Sequence, residues 1–461
     1  MKSTKAAANV RAQALPKAFA LFSTWSLALA LMPPLLTTAA MAQSTSTAPA
    51  AAESPRPFAP DLRSFNGVNY LADPTVMRDL GLGWDRESFP VDWNVVEPEK
   101  GRWQFAKMDA KVAAVHALGV EVLPMLGYTA RWAATSRGNR GPAKDPADWE
   151  SYIEHVVARY SRPPYNLRYF QVWNEPTWAP LDFWKGSGPE WVDQVYIPAA
   201  RIIRRYACRV VFGGWPGVDV KHLDDALDYH DAWRLTDIID VHYCGIEIWQ
   251  KIWDRYLKDG RCLGAWQTEI GFHEFPEYIA NLYPRALYWA LKHGWNEDAD
   301  RYKLFWFASW GSGPDGAKCL TKPGAGGNVL TEHGQRLKAL AQVLGDGQLQ
   351  AFDDFTTDPS LPATLDEEKP TAVGFRVGER TVIALIVDAQ TLQAHPTVVV
   401  TIPKVAGKAR LVNSTGVSKD LPAERTGAGL VCRVPMSELK SDIARGWGKQ
   451  WRVAVGYLLV E

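Results

Sequence analysis

Two glutamates stand in stretches whose composition asks for a chemical explanation. Glu175 closes the run LRYFQVWNE (167–175) within QVWNEPTW, and Glu269 lies inside GAWQTEIGF (264–272). An ionised carboxylate in so apolar a run is costly without partners, and such groups are often kept for use, with a shifted pKa. Two carboxyls about 5–5.5 Å apart serve retaining glycoside hydrolysis. One, kept protonated by apolar surroundings, gives its proton to the leaving oxygen and then acts as base. The other stays ionised and attacks the anomeric carbon, helped by a nearby tyrosine hydroxyl and arginine.

Such a pair has to be brought together by the fold. From about residue 60 to 344, β-rich runs alternate with amphipathic ones. The strand candidates are 65–71, 82–89, 120–128, 167–175, 209–215, 238–244, 264–272 and 303–310. Helical spacing marks 106–119, 145–161, 190–207, 278–294 and 333–345, with Gly closing several of these runs. Eight strands alternating with helices predict an α/β (β/α)8 TIM barrel over 58–345. A doubly wound open sheet is the structural alternative, but no Gly-rich phosphate fingerprint follows the first strand. A barrel carries its active site at the C-terminal strand ends. Arg86, Tyr128, Asn174, Glu175, His242, Tyr243, Glu269, Trp306 and Trp310 all fall in or near such ends.

The residues WNEP (173–176), HY (242–243) and QTEIGF (267–272) carry a resemblance, as does WNVVEPEKGRWQFAKMDAKV (93–112). The chain resembles the clan A glycoside hydrolases, most closely family 39 and its relatives associated with bacterial exopolysaccharides. The likeness covers about residues 60–345 well and the remainder in outline. It implies that Glu175 is the general acid/base and Glu269 the nucleophile. Asn174 would hydrogen-bond the sugar 2-hydroxyl, while His242, Tyr243 and Arg86 would support the charged groups. Tyr128 is a further substrate-binding candidate. No metal or organic cofactor is implied.

Eighteen of the 21 Trp residues lie between positions 84 and 310. Aromatic faces stack on the apolar faces of sugar rings, so Trp132, Trp178, Trp215 and Trp310 are candidate platforms, with Trp178 and Trp310 best placed. The loop 129–149, rich in Arg and Gly, is expected to flank the subsites or simply to be solvated. The spread of aromatic candidates along the chain favours endo action on a polysaccharide or oligosaccharide.

Flanking segments place the protein. A basic start, an apolar run and Ala40-Met41-Ala42 fit a secretory signal peptide (1–42) cleaved after Ala42, with an uncleaved anchor as the alternative. A Ser/Ala/Pro tether follows over 43–57. Cleavage would remove Lys2, Lys5, Arg11 and Lys17, leaving 47 basic against 51 acidic residues, a net charge of about −4. That balance argues against nucleic acid and anionic membrane as partners and, with the leader, predicts a periplasmic or secreted protein without stable membrane insertion. Five cysteines allow one bridge, Cys244–Cys262 being favoured, or isolated buried thiols. Residues 346–461 read as short strands with turns between them, a small C-terminal antiparallel β-sandwich accessory to the barrel. Two rival functions share these residues: a non-catalytic carbohydrate-binding protein on a glycosidase scaffold, and a transglycosylase of exopolysaccharide maturation.

Overall fold

The computed structural model describes residues 60–72, 78–177, 183–271, 275–345, 347–446 and 449–461. The leader and the tether therefore lie outside the described residues. Eight parallel strands form the barrel: β1 (Asn66–Asn69), β2 (Trp84–Glu87), β3 (Glu121–Leu126), β4 (Tyr169–Val172), β5 (Arg209–Val211), β6 (Ile238–His242), β7 (Gly264–Gly271) and β8 (Tyr302–Phe307). Consecutive strands pair, β5 meeting β6 at Val211 and Ile238, and β8 returns to β1 through Leu304 and Asn66, which closes the ring.

Around the strands run α1 (Ala106–His116), α2 (Pro146–Tyr160), α3 (Ile197–Arg205), α4 (Leu223–Asp228), α5 (Glu247–Ile252), α6 (Glu277–Lys292) and α7 (Glu332–Leu344). The sequence dictates α2 directly. The Asp145 side chain accepts from the Ala147 N–H, Pro146 opens the helix, and Trp149, Tyr152, Ile153, Val156, Val157 and Tyr160 form its buried stripe. The helix expected over 190–207 is interrupted instead. A π-helical turn at Val192–Tyr196 precedes α3, next to Pro198, whose ring nitrogen has no hydrogen to give the ladder.

The barrel interior is layered by the two-residue period of its strands. Its floor is Trp84, Leu123, Tyr169, Val211, Ile238, Trp266 and Phe305, one residue from each strand except β1. There Gly67 leaves room for a ring, since a Cβ at that position would lie 2.2 Å from Phe305. Two residues further along β2, β4, β6 and β7 stand Arg86, Gln171, Asp240 and Thr268, so an apolar floor carries a polar layer.

Past β8 the chain makes a hairpin, β9 (Thr321–Gly324) with β10 (Gly327–Leu330), then α7. The C-terminal strands form two antiparallel sheets. One runs Leu349–Phe352, Thr371–Val377, Arg380–Asp388, Lys449–Val460, Ala409–Asn413, Ser418–Leu421, with Lys440–Gly446 beside Lys449–Val460. The other runs Thr356–Asp358, Thr397–Ile402, Gly429–Pro435, Ala423–Thr426. Along Arg380–Asp388 the residues Val382, Ala384 and Ile386 join the core shared with the barrel, while Ile383, Leu385 and Val387 join the core between the sheets. Both faces of that strand are buried, which explains its unbroken apolar run. Arg285 of α6, 1% exposed, donates to the carbonyls of Thr364, Asp366 and Lys369, fastening the sheet to the barrel.

All five cysteines are buried free thiols, which corrects the favoured bridge. Cys244 follows the C-terminal end of β6 and Cys262 precedes the start of β7, so they lie at opposite ends of the barrel, about a strand length apart. Their thiols meet the carbonyls of His242 and Trp233 instead. No described helix is long and apolar enough to cross a membrane.

Candidate active site

Glu175 and Glu269 meet at the C-terminal mouth of the barrel. One oxygen of each carboxyl and a ring nitrogen of His242 all lie within 4.8 Å of one another. Local backbone strain aims several of these groups. Trp173, Glu175, Tyr243 and Tyr70 have positive φ angles of 71°, 48°, 49° and 61°, unusual for residues bearing a Cβ. Each amide is tied to a neighbouring strand end: Trp173 N–H to Leu126 O, Glu175 N–H to Gly213 O, Tyr243 N–H to Glu269 O, and Tyr70 N–H to Arg86 O. On β7 the pairing register shifts between Gln267 and Ile270, a bulge that lets consecutive residues, Thr268 and Glu269, both serve the mouth.

Arg86, 2% exposed, is the hub. Its Nη1 donates to Glu269 Oε2 at 3.0 Å and to Asn69 Oδ1 at 2.8 Å, its Nη2 to Asn174 Oδ1 at 2.6 Å, and its Nε to Gln171 Oε1 at 2.7 Å. The Tyr243 hydroxyl donates to Glu269 Oε1 at 2.9 Å, so both oxygens of that carboxylate are held by donors. Charge-assisted bonds of this kind fix a carboxylate in direction. Glu175 is treated differently. It is 5% exposed, and among the described residues its side-chain partner is His242, whose Nδ1 stands 3.1 Å from Oε1. Burial pushes its carboxyl up; the His242 hydrogen bond opposes this and the Glu269 charge adds to it. Two carboxyls in one mouth thus have environments that separate their roles.

His242 is fully buried. Gly214, at φ +60°, makes room for it, because a Cβ there would lie 2.4 Å from Nε2. Burial alone would lower the imidazole, but the Glu269 charge and the Asp240 and Glu175 hydrogen bonds outweigh it and raise it to about 9. Glu175, His242 and Glu269 are also, among the described residues, a trio close enough to ligate a metal. Arg86 and Tyr243 already engage both oxygens of Glu269, and the arrangement is complete as an organic acid–base site.

The hydrogen-bonded group therefore unites Arg86, Asn174, Glu175, His242, Tyr243 and Glu269. Tyr128 is half-buried beside it, edge-on to Trp173 with ring centroids 5.0 Å apart, and burial followed by the Glu175 charge pushes its hydroxyl up. Trp310 stands at the rim, 37% exposed, with its indole N–H donating to Asn328 Oδ1 at 3.1 Å. Trp178 lies outside the described residues. Two other aromatic candidates are packing residues. Trp215 is fully buried, its indole bound to Asp219 O, and half-buried Trp132 lies edge-on to Trp93 with its indole on Glu97 O. Trp306 is likewise buried. In the loop 129–149, Arg137 makes a two-pronged pair with Glu190, and Arg140 lies over the Phe183 ring.

Five residues of the mouth were absent from the sequence-derived site: Asn69, Tyr70, Gln171, Asp240 and Thr268. Their signal is the strand period. Gln171, Asp240 and Thr268 sit two residues beyond floor residues on their strands, where an apolar side chain would be expected. Tyr70 follows β1 with its hydroxyl against Ser88 Oγ, and the charges of Arg86 and Glu269 both act on it.

A closed parallel barrel with an attached antiparallel sandwich is a fold shared with solved glycoside hydrolases. No family model matches the chain, and no curated protein does. Among solved structures, a family 39 β-xylosidase from Caulobacter crescentus aligns with a TM-score of 0.57 at 16% identity, covering 88% of this chain and 98% of that one. A family 39 glycoside hydrolase from the gut symbiont Bacteroides cellulosilyticus aligns at 0.55 and 15%, covering 86% and 81%. A family 30 endoxylanase from Clostridium papyrosolvens aligns at 0.56 and 13%, covering 87% and 97%. At these identities the likeness establishes the shared fold, and it is the fold that the resemblance in WNEP and QTEIGF implied.

Proposed function

We propose that the protein is an exported retaining glycoside hydrolase acting on a polysaccharide. The observation that carries this reading is the pair Glu175–Glu269, within 4.8 Å at the mouth and unequally surrounded. Nearest oxygens that close suit the roughly 5–5.5 Å carboxyl separation of direct attack better than the roughly 6.5–9.5 Å of inversion.

In the first half-reaction Glu269 attacks the anomeric carbon. The bond from that carbon to the leaving oxygen breaks, and Glu175 gives that oxygen its proton. The products are a glycosyl ester on Glu269 and a released hydroxyl. In the second, water attacks the same carbon and gives a proton to Glu175. The ester bond breaks and Glu269 regains its charge. Arg86 and Tyr243 hold Glu269 in line, and Asn174, itself fixed by Arg86, is placed to bind the 2-hydroxyl.

The substrate class rests on the resemblance to exopolysaccharide-associated relatives and on the signal-like leader. Endo action is favoured by the exposed rim residue Trp310. Since solved neighbours include a β-xylosidase and an endoxylanase, xylosides belong in the substrate screen beside bacterial exopolysaccharides. The test is azide rescue. With an activated aryl glycoside, Glu269→Ala should regain turnover and give the inverted glycosyl azide, and Glu175→Ala the retained one. Wild-type cleavage that survives both substitutions would sink the assignment. Transfer to added sugar acceptors in preference to water would instead mark a transglycosylase.

A further inference from the structure

Beneath the two glutamates lies a buried polar relay that the reaction as written does not use. Asp240 and Thr268 are fully buried, as is Gln171. Asp240 Oδ1 accepts the Thr268 amide at 2.9 Å, and Oδ2 accepts the Thr268 hydroxyl at 2.6 Å together with the Gln171 side-chain amide. The direction of these bonds is fixed by counting donors. Arg86 can only donate, so the Gln171 oxygen faces it at 2.7 Å and the Gln171 NH2 must face Asp240. Asp240 thus meets donors on both oxygens, a role filled by a carboxylate. The Thr268 hydroxyl gives its one proton to Asp240. Its lone pairs are left for Gln171 at 3.3 Å and for His242 Nε2 at 3.0 Å. His242 Nε2 therefore carries a hydrogen, and Asp240 Oδ2 stands 3.5 Å from it. The variable proton of the ring is left at Nδ1, between Glu175 Oε1 at 3.1 Å and Glu269 Oε2 at 3.6 Å.

We propose that Asp240, acting through Thr268 and His242, is a positioning residue that holds the imidazole as a cation with Nε2–H fixed, and thereby sets the pH at which Glu175 gives up its proton. An imidazolium against Glu175 steadies the carboxylate left after proton donation, so the alkaline end of activity is placed by Asp240, on the far side of the ring. The other titratable or charged groups facing the imidazole or Glu175 are Glu269, Arg86, Tyr128, Tyr243 and Cys244, and none of them is altered in the test. The inference deepens the proposed glycosidase reading, and only its kinetic arm rests on that reading.

The kinetic arm compares pH profiles of kcat/KM for wild type and Asp240→Asn. The amide keeps the shape but lets the ring go neutral and take the other tautomer, as a carboxylate behind a histidine normally prevents. Loss of the imidazolium at 3.1 Å outweighs loss of the more distant Asp240 charge. The alkaline limb should therefore move up by about one pH unit, with a reduced maximum. A uniform fall across pH, with both limbs in place, would show that Asp240 merely packs. The second arm needs no substrate and leaves Asp240 unaltered. Nitrogen-15 NMR of histidine-labelled wild type, with His242 assigned by a His242→Gln spectrum, should show Nε2 protonated throughout and only Nδ1 titrating, above neutrality. Titration at Nε2, or a ring neutral at pH 7, would overturn the proposal whatever the enzyme cleaves.

Discussion

The barrel carries a buried ion pair at each end, and the two are built to different ends. At the floor Lys303 gives its ammonium to Ser64 O at 2.9 Å, to Ala299 O at 3.1 Å and to Asp300 Oδ1 at 3.1 Å, one acceptor for each of its three hydrogens. The rings of Trp84 and Trp266 flank it at 4.4 Å and 5.2 Å, and the Tyr169 hydroxyl fills Asp300 Oδ2. The ammonium and the carboxylate meet at close range with their hydrogen-bonding positions filled, and Arg168 stands farther off at 3.6 Å. At the mouth, Glu175, Glu269 and Asp240 face Arg86 and His242, so charge balance depends on whether the imidazole holds a proton. A closed network of the first kind serves stability. One whose balance hangs on a proton is suited to moving protons. Equal burial therefore does not mean equal purpose; the count of donors against charges separates the two.

The largest effect should come from the mouth and spare stability. On the proposed mechanism Glu269→Gln removes the attacking carboxylate, and kcat should fall by on the order of 10⁴ or more, about 5 kcal/mol of transition-state stabilisation. Because the mouth also holds strained backbone and crowded carboxyls, the unfolding midpoint in urea should stay put or rise. A variant that loses activity through lost stability would erase the distinction between the two ends.

The floor should answer the opposite way. Lys303→Met leaves Asp300 with the Tyr169 hydroxyl and the more distant Arg168 at 3.6 Å, and removes the cation from two indole faces. Removing one partner of a buried pair costs about 3 kcal/mol. Urea unfolding should show that loss, with kcat unchanged per folded molecule. A rate change at unaltered stability would mean that the floor speaks to the mouth through the polar layer between them.

How much of this contrast was legible in the sequence follows from what each pattern encodes. The barrel strands were readable because β-rich runs recur between amphipathic ones, and the two glutamates because WNEP and QTEIGF place them at strand ends. The short helices α4 and α5 were not, since six-residue segments carry too little periodicity. The edge strands of the sandwich, such as Ser418–Leu421 and Ala423–Thr426, are mostly exposed and polar, and have no apolar alternation to read. Asp240 was hidden for another reason. In IIDVHYC it looks like a solvent-facing residue of an alternating strand, and only barrel closure turns that face inward. Lys303 is hidden in the same way within KLFWFASW. The cysteines misled because proximity of two strand-flanking positions in sequence does not say that they flank opposite ends.

Acid and base should also pull the two ends apart. His242 is raised to about 9 from an ordinary 6.5, so its contribution is complete below pH 6.5 and is lost as pH rises through about 9. By linkage that is about 3 kcal/mol. Glu175, also raised, acts in the same sense. Asp300 is lowered from 3.8: burial raises it, but Lys303 and the Tyr169 hydroxyl prevail, so its contribution holds above that value and is lost as pH falls. The mouth should loosen on alkalinisation and the floor on acidification. Urea midpoints between pH 6 and 9.5 should fall in wild type and fall less in His242→Gln. Equal slopes would remove the mouth from the account.

The smallest effect should lie at the rim, where the mouth meets solvent. Trp306 and Trp310 are four residues apart, yet Trp306 is fully buried against the Tyr278 and His333 rings while Trp310 keeps 37% of its surface open. The hairpin of β9 and β10 supplies what an exposed ring otherwise lacks, a partner that fixes its direction, through Asn328 Oδ1 at 3.1 Å. An indole held this way presents one face to a sugar ring before it arrives. Asn328→Ala releases the ring without removing it. The loss should be about 1 kcal/mol, the worth of one such bond, and should appear as a roughly fivefold higher KM on a polymeric substrate. On the proposed mechanism the chemistry lies deeper, at Glu269, so kcat should not change. An equal KM would mean that Trp310 is not a platform. A lower kcat with KM intact would extend the catalytic mouth outward to the hairpin.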